Sequence, residues 1–243
     1  MVISRFFCPQ PLASRSLAEL PPATAHHALR VLRLGVGDAV TLFDGTGGEY
    51  AGRIVETARG VRVQLEEWRD IERESPLELM LAQALPSGDR MDWIVQKAVE
   101  LGVARIQPLG AARSVVRLSG ERAARRVDHW RQVAIAACEQ CGRNRLPVIE
   151  PILDLRQWLG RQAQDNGMCR LLLAPGGAQR LRALSGMRRF VLLVGPEGGL
   201  SEDEAVAAKM TGFADLSLGP RVLRTETAGP AALAALGAQH GDL

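Results

Sequence analysis

At residue 77 the spacing of apolar residues changes period, and no single sheet or bundle can accommodate both halves of this chain. Upstream, Val40-Thr41-Leu42-Phe43 stops at the turn cluster Asp44-Gly45-Thr46-Gly47-Gly48, residues 50–55 resume an extended pattern, and Val61-Arg62-Val63-Gln64-Leu65 alternates strictly. Short strands joined by Gly-rich turns predict a small β-barrel, with a short helix over residues 24–32. A charged stretch then closes at Pro76. Downstream, strand patterns at 77–81, 103–108, 147–152, 170–174, 190–195 and 214–218 alternate with helical patterns. These helical patterns cover 89–101, 121–141, 155–164, 201–209 and 226–239. That alternation predicts an open parallel α/β sheet with its ligand at the strand C-termini. The expected division is therefore residues 1–75 and 76–243.

Several classes fall away at once. The longest apolar runs, such as Phe190-Val191-Leu192-Leu193-Val194, are far too short to span a bilayer. Arg5 and Pro9 interrupt the apolar stretch that a signal peptide needs, so a soluble, cytoplasmic protein is expected. Four cysteines in 243 residues read as reduced thiols. Cys138 and Cys141 lack the second pair that a structural zinc site requires, so no metal is expected. Of the 30 basic residues only Lys97 and Lys209 are Lys, and residues 105–145 carry nine Arg against three acids. Such a segment is either a surface facing a polyanion or a solvated helix face. On the helix at 121–141, Val127, Trp130, Ala134 and Ala137 share one stripe, which places Trp130 in the core.

Three strand-to-loop junctions carry the chemistry. Leu192-Leu193-Val194-Gly195-Pro196-Glu197-Gly198-Gly199-Leu200-Ser201 runs from a strand through glycines into a helix start. Glycines let backbone approach a ligand, and Ser201 with Glu204 forms a capping box that fixes the helix. The loop is neither a P-loop nor a dinucleotide fingerprint. The second junction, Leu218-Gly219-Pro220-Arg221-Val222-Leu223-Arg224-Thr225-Glu226-Thr227-Ala228, sets a cation, a carboxylate and hydroxyls within one turn. The third is Leu173-Ala174-Pro175-Gly176-Gly177. Three such loops at three strand ends predict a pocket floor.

Taken together, the second and first of these motifs closely resemble the SPOUT RNA methyltransferases of the RsmE family. Further similarity lies in Lys97-Ala98-Val99-Glu100-Leu101-Gly102-Val103, Glu139-Gln140-Cys141-Gly142-Arg143 and the N-terminal His26-His27 to Leu34. The resemblance implies a PUA-like β-barrel that binds RNA, followed by an α/β domain with a C-terminal trefoil knot that binds S-adenosylmethionine. It also implies a homodimer and, as substrate, uridine N3 of 16S ribosomal RNA in the small ribosomal subunit. A ribose 2′-O-methyltransferase of the same superfamily and a non-catalytic rRNA-binding assembly factor are the rival readings. The former resembles a Ser-Leu-Asn pattern where this chain has Arg-Thr-Glu-Thr.

Carried onto this sequence, the cofactor is expected against Leu173, Ala174, Pro175, Gly176, Gly195, Pro196, Glu197, Gly198, Gly199, Leu218, Gly219, Val222 and Leu223. Negative charge builds on the uracil oxygens once N3 loses its proton, and Arg224 is the fixed cation expected to meet it. Glu226 is the candidate base or orienter. RNA phosphates are expected at Arg5, His27, Arg30, Arg33, Arg113 and Arg143.

Overall fold

The strict alternation at residues 61–65 becomes the inner wall of a curled sheet. The computed structural model describes residues 3–162, 167–179, 181, 184 and 186–243. Its first sheet holds β1 (Ser4–Phe7), β2 (Leu17–Glu19), β3 (Ala39–Phe43), β4 (Glu49–Glu56) and β5 (Arg62–Arg69) in the order β1-β3-β4-β5-β2. Only the β1–β3 pair is parallel. Val63 and Leu65 of β5 point into a core with Phe6, Val40, Leu42 and Ile54, while Arg62 and Gln64 stay outside, as the two-residue period of a strand requires. Gly52 lies where β4 presses on β5; a Cβ there would come within 2.6 Å of Val63 Cγ1. The helix expected over 24–32 is α1 (Pro22–His26), continued by one π-helical turn at His27–Val31.

The chain divides into two compact units. The first joins Met1–Glu74 to a distant segment, Cys138–Leu146; the second comprises Ser75–Ala137 and Pro147–Leu243. The sequence reading placed residues 138–146 wholly in the second domain. What holds them in the first is a buried polar network. The Glu49 carboxylate pairs with Arg5 and accepts from Asn144 Nδ2 and Arg73 Nη1, both at 3.3 Å. Arg5 Nη2 donates to Asn144 Oδ1 at 2.6 Å and to the Gly142 carbonyl at 3.2 Å. Arg143 grips Glu74 through Nε at 2.9 Å and Nη2 at 2.6 Å, and Phe7 N–H donates to Glu139 Oε1 at 2.9 Å.

The second unit is a parallel sheet covered on both faces. Its strands are β6 (Glu78–Ala84), β7 (Arg105–Gly110), β8 (Val148–Ile149), β9 (Leu153–Asp154), β10 (Cys169–Leu173), β11 (Arg189–Val194) and β12 (Ala214–Leu216). The order is β12-β10-β11-β6-β7-β8, with β9 also on β7, and every pairing is parallel. The single strand expected at 147–152 is thus two short ones.

The helices are α2 (Arg90–Glu100), α3 (Gly120–Cys141), α4 (Leu155–Leu159), α5 (Glu202–Met210) and α6 (Thr225–His240). Helices α4 and α5 cover one face over Ala82, Leu109, Leu172, Val191 and Leu193, with Trp158 tilted against Phe213. Helix α6 lies against α2 and over β6 and β11 on the other. Double coverage is why β11 reads as an unbroken apolar run from Phe190 to Val194. Helix α4 stops before Gly160, and the end of the expected helix, 163–164, lies outside the described residues. Trp130 is buried in α3 and donates to Asp92 Oδ1 at 3.0 Å, as a core residue would.

Burial pushes the Glu49 carboxyl up, but Arg5, Asn144 and Arg73 more than offset it and hold it below its ordinary value. A depressed folded-state value stabilises the protein above the unfolded carboxylate range, and that contribution is lost as pH falls through the folded value. Removing Glu49 strands Arg5 in the interior, so Glu49→Ala is expected to cost ~3–5 kcal/mol by urea denaturation at neutral pH. The variant should also lose stability less steeply than wild type on acidification; equal acid dependence would show that Glu49 is not the titrating group.

Candidate active site

Parallel strands bring their C-terminal ends to one edge, and the three Gly/Pro loops meet there. Together they line a cleft of about 820 Å³ in the second unit. Its lining includes Leu173, Ala174 and Pro175 after β10, Gly195, Pro196, Glu197, Gly198 and Gly199 after β11, and Val222, Leu223, Arg224 and Glu226 before and within α6. Leu218 and Gly219 line a small adjoining recess of about 60 Å³ with Ser217 and Arg221. Gly176, expected at the cofactor, lines neither. Sequence reasoning missed Arg90, Leu172, Leu200, Ala205, Lys209, Asp215 and Thr225, which also face the cleft.

The loops are fixed by hydrogen bonds rather than by packing alone. Thr225 Oγ1 donates to the Gly195 carbonyl at 2.6 Å and accepts from Gln83 Nε2 at 2.9 Å. This joins the first turn of α6 to the ends of β11 and β6. The expected capping box is present: Ser201 Oγ accepts from Glu204 N–H at 3.2 Å, and Glu204 Oε2 accepts from Ser201 N–H at 2.9 Å. Glu204 Oε1 also accepts from Ala112 N–H at 2.7 Å, which anchors the segment after β7. Arg113 donates through Nη1 to the Gly198 carbonyl at 3.0 Å. Arg113 therefore supports the glycine loop, whatever else it meets.

At the rim lies a chain of charges. Glu197 Oε1 accepts from Ser87 N–H at 2.8 Å and Ser87 Oγ at 2.7 Å, and pairs with Arg90. Burial opposes ionisation of Glu197, but the Ser87 bonds and Arg90 bring its carboxyl down to about 2. Arg90 Nε also sits 3.5 Å from Glu226 Oε1, and Arg224 Nη1 lies 4.0 Å from the same oxygen. Arg224 is the N-cap residue of α6, and its side chain is 80% exposed. An exposed guanidinium thus sits beside a carboxylate that Arg90 also pairs with.

The remaining expected contacts belong to the first unit. His27, Arg30 and Arg33 are exposed on and after the π-helical turn. Arg5 and Arg143 are not on its surface; both are spent in the buried network around Glu49 and Glu74. Their charge was visible in the sequence, but their partners, 44 and 69 residues away, were not.

Two family profiles match the sequence: an RNA methyltransferase domain over residues 73–237 and an RNA methyltransferase PUA domain over residues 20–66. The chain belongs to this family of RNA methyltransferases. Ribosomal RNA small subunit methyltransferase E of Bacillus subtilis is 33% identical over 223 residues, covering 88% of this chain and 87% of the relative. Among solved structures, that of the Neisseria gonorrhoeae ribosomal RNA small subunit methyltransferase E bound to S-adenosyl methionine matches with a TM-score of 0.93 and 39% identity over 99% of both chains. A Legionella pneumophila protein whose structure holds the cofactor SAM matches with a TM-score of 0.94 and 38% identity over the full length of both. The curled N-terminal sheet is accordingly PUA-like, and the parallel-sheet unit is the methyltransferase domain.

Thr225 is the bond on which the cleft of this RNA methyltransferase closes. Thr225→Val keeps the shape but leaves a buried Gln83 amide hydrogen and the Gly195 carbonyl without their partner, so ~1–3 kcal/mol of stability should be lost in urea denaturation. Thr225→Ser should retain most of it. A larger loss in Thr225→Ser than in Thr225→Val would mean that the methyl group, not the hydroxyl, matters.

Proposed function

We propose that this chain uses S-adenosylmethionine to methylate N3 of a uridine in 16S ribosomal RNA. The observation that carries the reading is the convergence of three glycine-bearing loops on one cleft with Arg224 and Glu226 at its rim, in a chain whose relatives bear that enzyme's name. The residues fit such a cofactor. The cleft has the size of a small-molecule site, its floor is apolar at Leu172, Val194 and Leu200, and the carboxylate oxygen Oδ1 of Asp215 is buried there without a partner.

When bound, S-adenosylmethionine supplies an electrophilic methyl group on a sulfonium. The chain's own part is to bind, orient and compensate charge. Uridine N3 becomes nucleophilic as its proton leaves, and the charge spreads to O2 and O4. Arg224, exposed and adjacent to the cleft, is the donor for that charge. Glu226 steers Arg224 through their ion pair, and Arg90 keeps Glu226 in position. The loop backbone at Gly195, Gly198 and Gly199 borders the cofactor cleft.

RNA holding falls to the first unit in this reading. Arg33 has φ 58°, a left-handed conformation unfavourable for a side chain of this kind, at the end of a π-helical turn. Strain and π-turns both gather at functional positions. His27, Arg30 and Arg33 are then the phosphate contacts. The trefoil knot, the homodimer and a cytoplasmic location, where the ribosome is made, belong to the same reading; among the described residues no helix is long and apolar enough to cross a membrane.

Incubation of the protein with S-adenosylmethionine and unmodified small subunits or 16S rRNA, followed by nucleoside mass spectrometry, should yield 3-methyluridine. Ribose-methylated product, or none, would refute the reading. Arg224→Ala should lower the single-turnover rate ~10²–10³-fold at saturating ligands. Replacing Arg30 and Arg33 together by Ala should weaken RNA binding and reduce the salt slope by up to about two, leaving cofactor affinity unchanged. An unchanged slope would remove both residues from the phosphate track.

A further inference from the structure

Two groups of charge line the cleft, and they lie on opposite sides of it in the order of the sheet. Arg90 and Glu197 belong to the side of β6, where Ser87 anchors them. Lys209 and Asp215 belong to the side of β12. Strands β10 and β11 separate the two, a span of ~14 Å at ordinary strand spacing.

The second group has an unfinished look that the first lacks. Asp215 stands opposite Leu172 in the β10–β12 ladder, and both line the cleft. Its Oδ2 accepts from Lys209 Nζ at 2.7 Å, whereas its Oδ1 is buried and has no partner among the described residues. A sheltered carboxylate oxygen without a donor is costly, and a donor brought by a ligand would relieve it. Lys209, from the last turn of α5, is half exposed and has spent one of its three ammonium hydrogens on Asp215. The pair therefore offers the cleft one free acceptor of negative charge and free donors of positive charge, side by side.

That arrangement is the complement of an α-amino acid zwitterion, whose ammonium and carboxylate also sit side by side. We infer that Asp215 and Lys209 hold the amino-acid end of the cofactor, with Asp215 Oδ1 taking the ammonium and Lys209 the carboxylate. The assignment rests on the cofactor reading above and adds to it the polar anchor that the apolar floor and glycine loops do not supply. It also gives Lys209, one of two lysines among 30 basic residues, a reason to be the flexible, strongly hydrated cation rather than Arg.

Two ligands that differ only in this end provide the test. S-adenosylhomocysteine carries the amino-acid group; methylthioadenosine has the same adenosine and thioether without it. Calorimetry on the full chain should show that Asp215→Asn lowers affinity for S-adenosylhomocysteine ~10- to 100-fold, the effect of losing a hydrogen bond to a charged group, while methylthioadenosine affinity stays within about threefold. Lys209→Gln should show the same selectivity to a smaller extent. An equal fall for both ligands would mean that Asp215 meets the adenosine or merely braces β12, and would overturn the assignment. So would unchanged affinity for S-adenosylhomocysteine. A wild-type chain that binds neither ligand would overturn the cofactor reading and this assignment together, whereas binding of both without selective loss overturns this assignment alone.

Discussion

The hydroxyl of Thr225 is the point through which the methyltransferase unit acquires a site. Parallel strands guarantee only that loop ends share an edge; they do not make the loops converge. By donating to Gly195 and accepting from Gln83, Thr225 pins the start of α6 to the neighbouring ends of β11 and β6. Arg224 and Glu226 flank it in sequence, so their placement at the rim follows from the same two bonds. The Gln83 side chain is fully buried in a strand that is otherwise apolar after Glu78, and its amide donates to Thr225, an interior polar bond that offsets the cost of burying it.

A second economy governs the supporting charges. Glu197 and Arg113 were expected at ligands and Glu204 at a helix cap, and all three are committed to protein. Glu197 takes Ser87 and Arg90, Glu204 takes Ser201 and Ala112, and Arg113 takes the Gly198 carbonyl. The glycine loop is thus held in place by its neighbours' side chains, at Glu197, at the Gly198 carbonyl and at the Gly195 carbonyl. Preorganisation of this kind is what allows dipoles to act on a reacting group without first reorganising.

Much of this was legible in the sequence, and the failures have physical causes. The alternating strand and helix patterns placed β6, β7, β10, β11 and α2, α3, α5 and α6 within a few residues, because buried parallel strands are largely apolar runs, the helices repeat their apolar residues at helical spacing, and a capping box marks the start of α5. The three cleft loops were legible because glycine and proline mark them. Strands β1 and β2, of four and three residues, carry too little pattern to be seen, and both depend on partners far along the chain. The cleft residues Asp215 and Lys209 were missed because neither belongs to a recognisable motif; only the β10–β12 pairing and the last turn of α5 bring them together. Arg5 and Arg143 show the reverse error. A sequence displays charge but not the long-range partner that consumes it.

The segment Cys138–Leu146 has a consequence for the order in which the protein can be made. An N-terminal unit is ordinarily free to fold as soon as it leaves the ribosome. Here Arg5, Glu49 and Glu74 wait for Asn144 and Arg143, so the first 74 residues leave the exit tunnel with half of a buried electrostatic network and no means of completing it. At ~5–20 residues per second the missing strip is synthesised roughly 4–14 s later. During that interval Glu49 has its Arg5 and Arg73 partners, but Glu74 lacks Arg143 and Arg5 lacks its Asn144 and Gly142 acceptors, and closure must then span a long intervening loop, a step whose entropic cost rises only slowly with length. The first unit to be translated is therefore not a module that can be cut out at its apparent boundary, and its final folding is timed by the translation of the second.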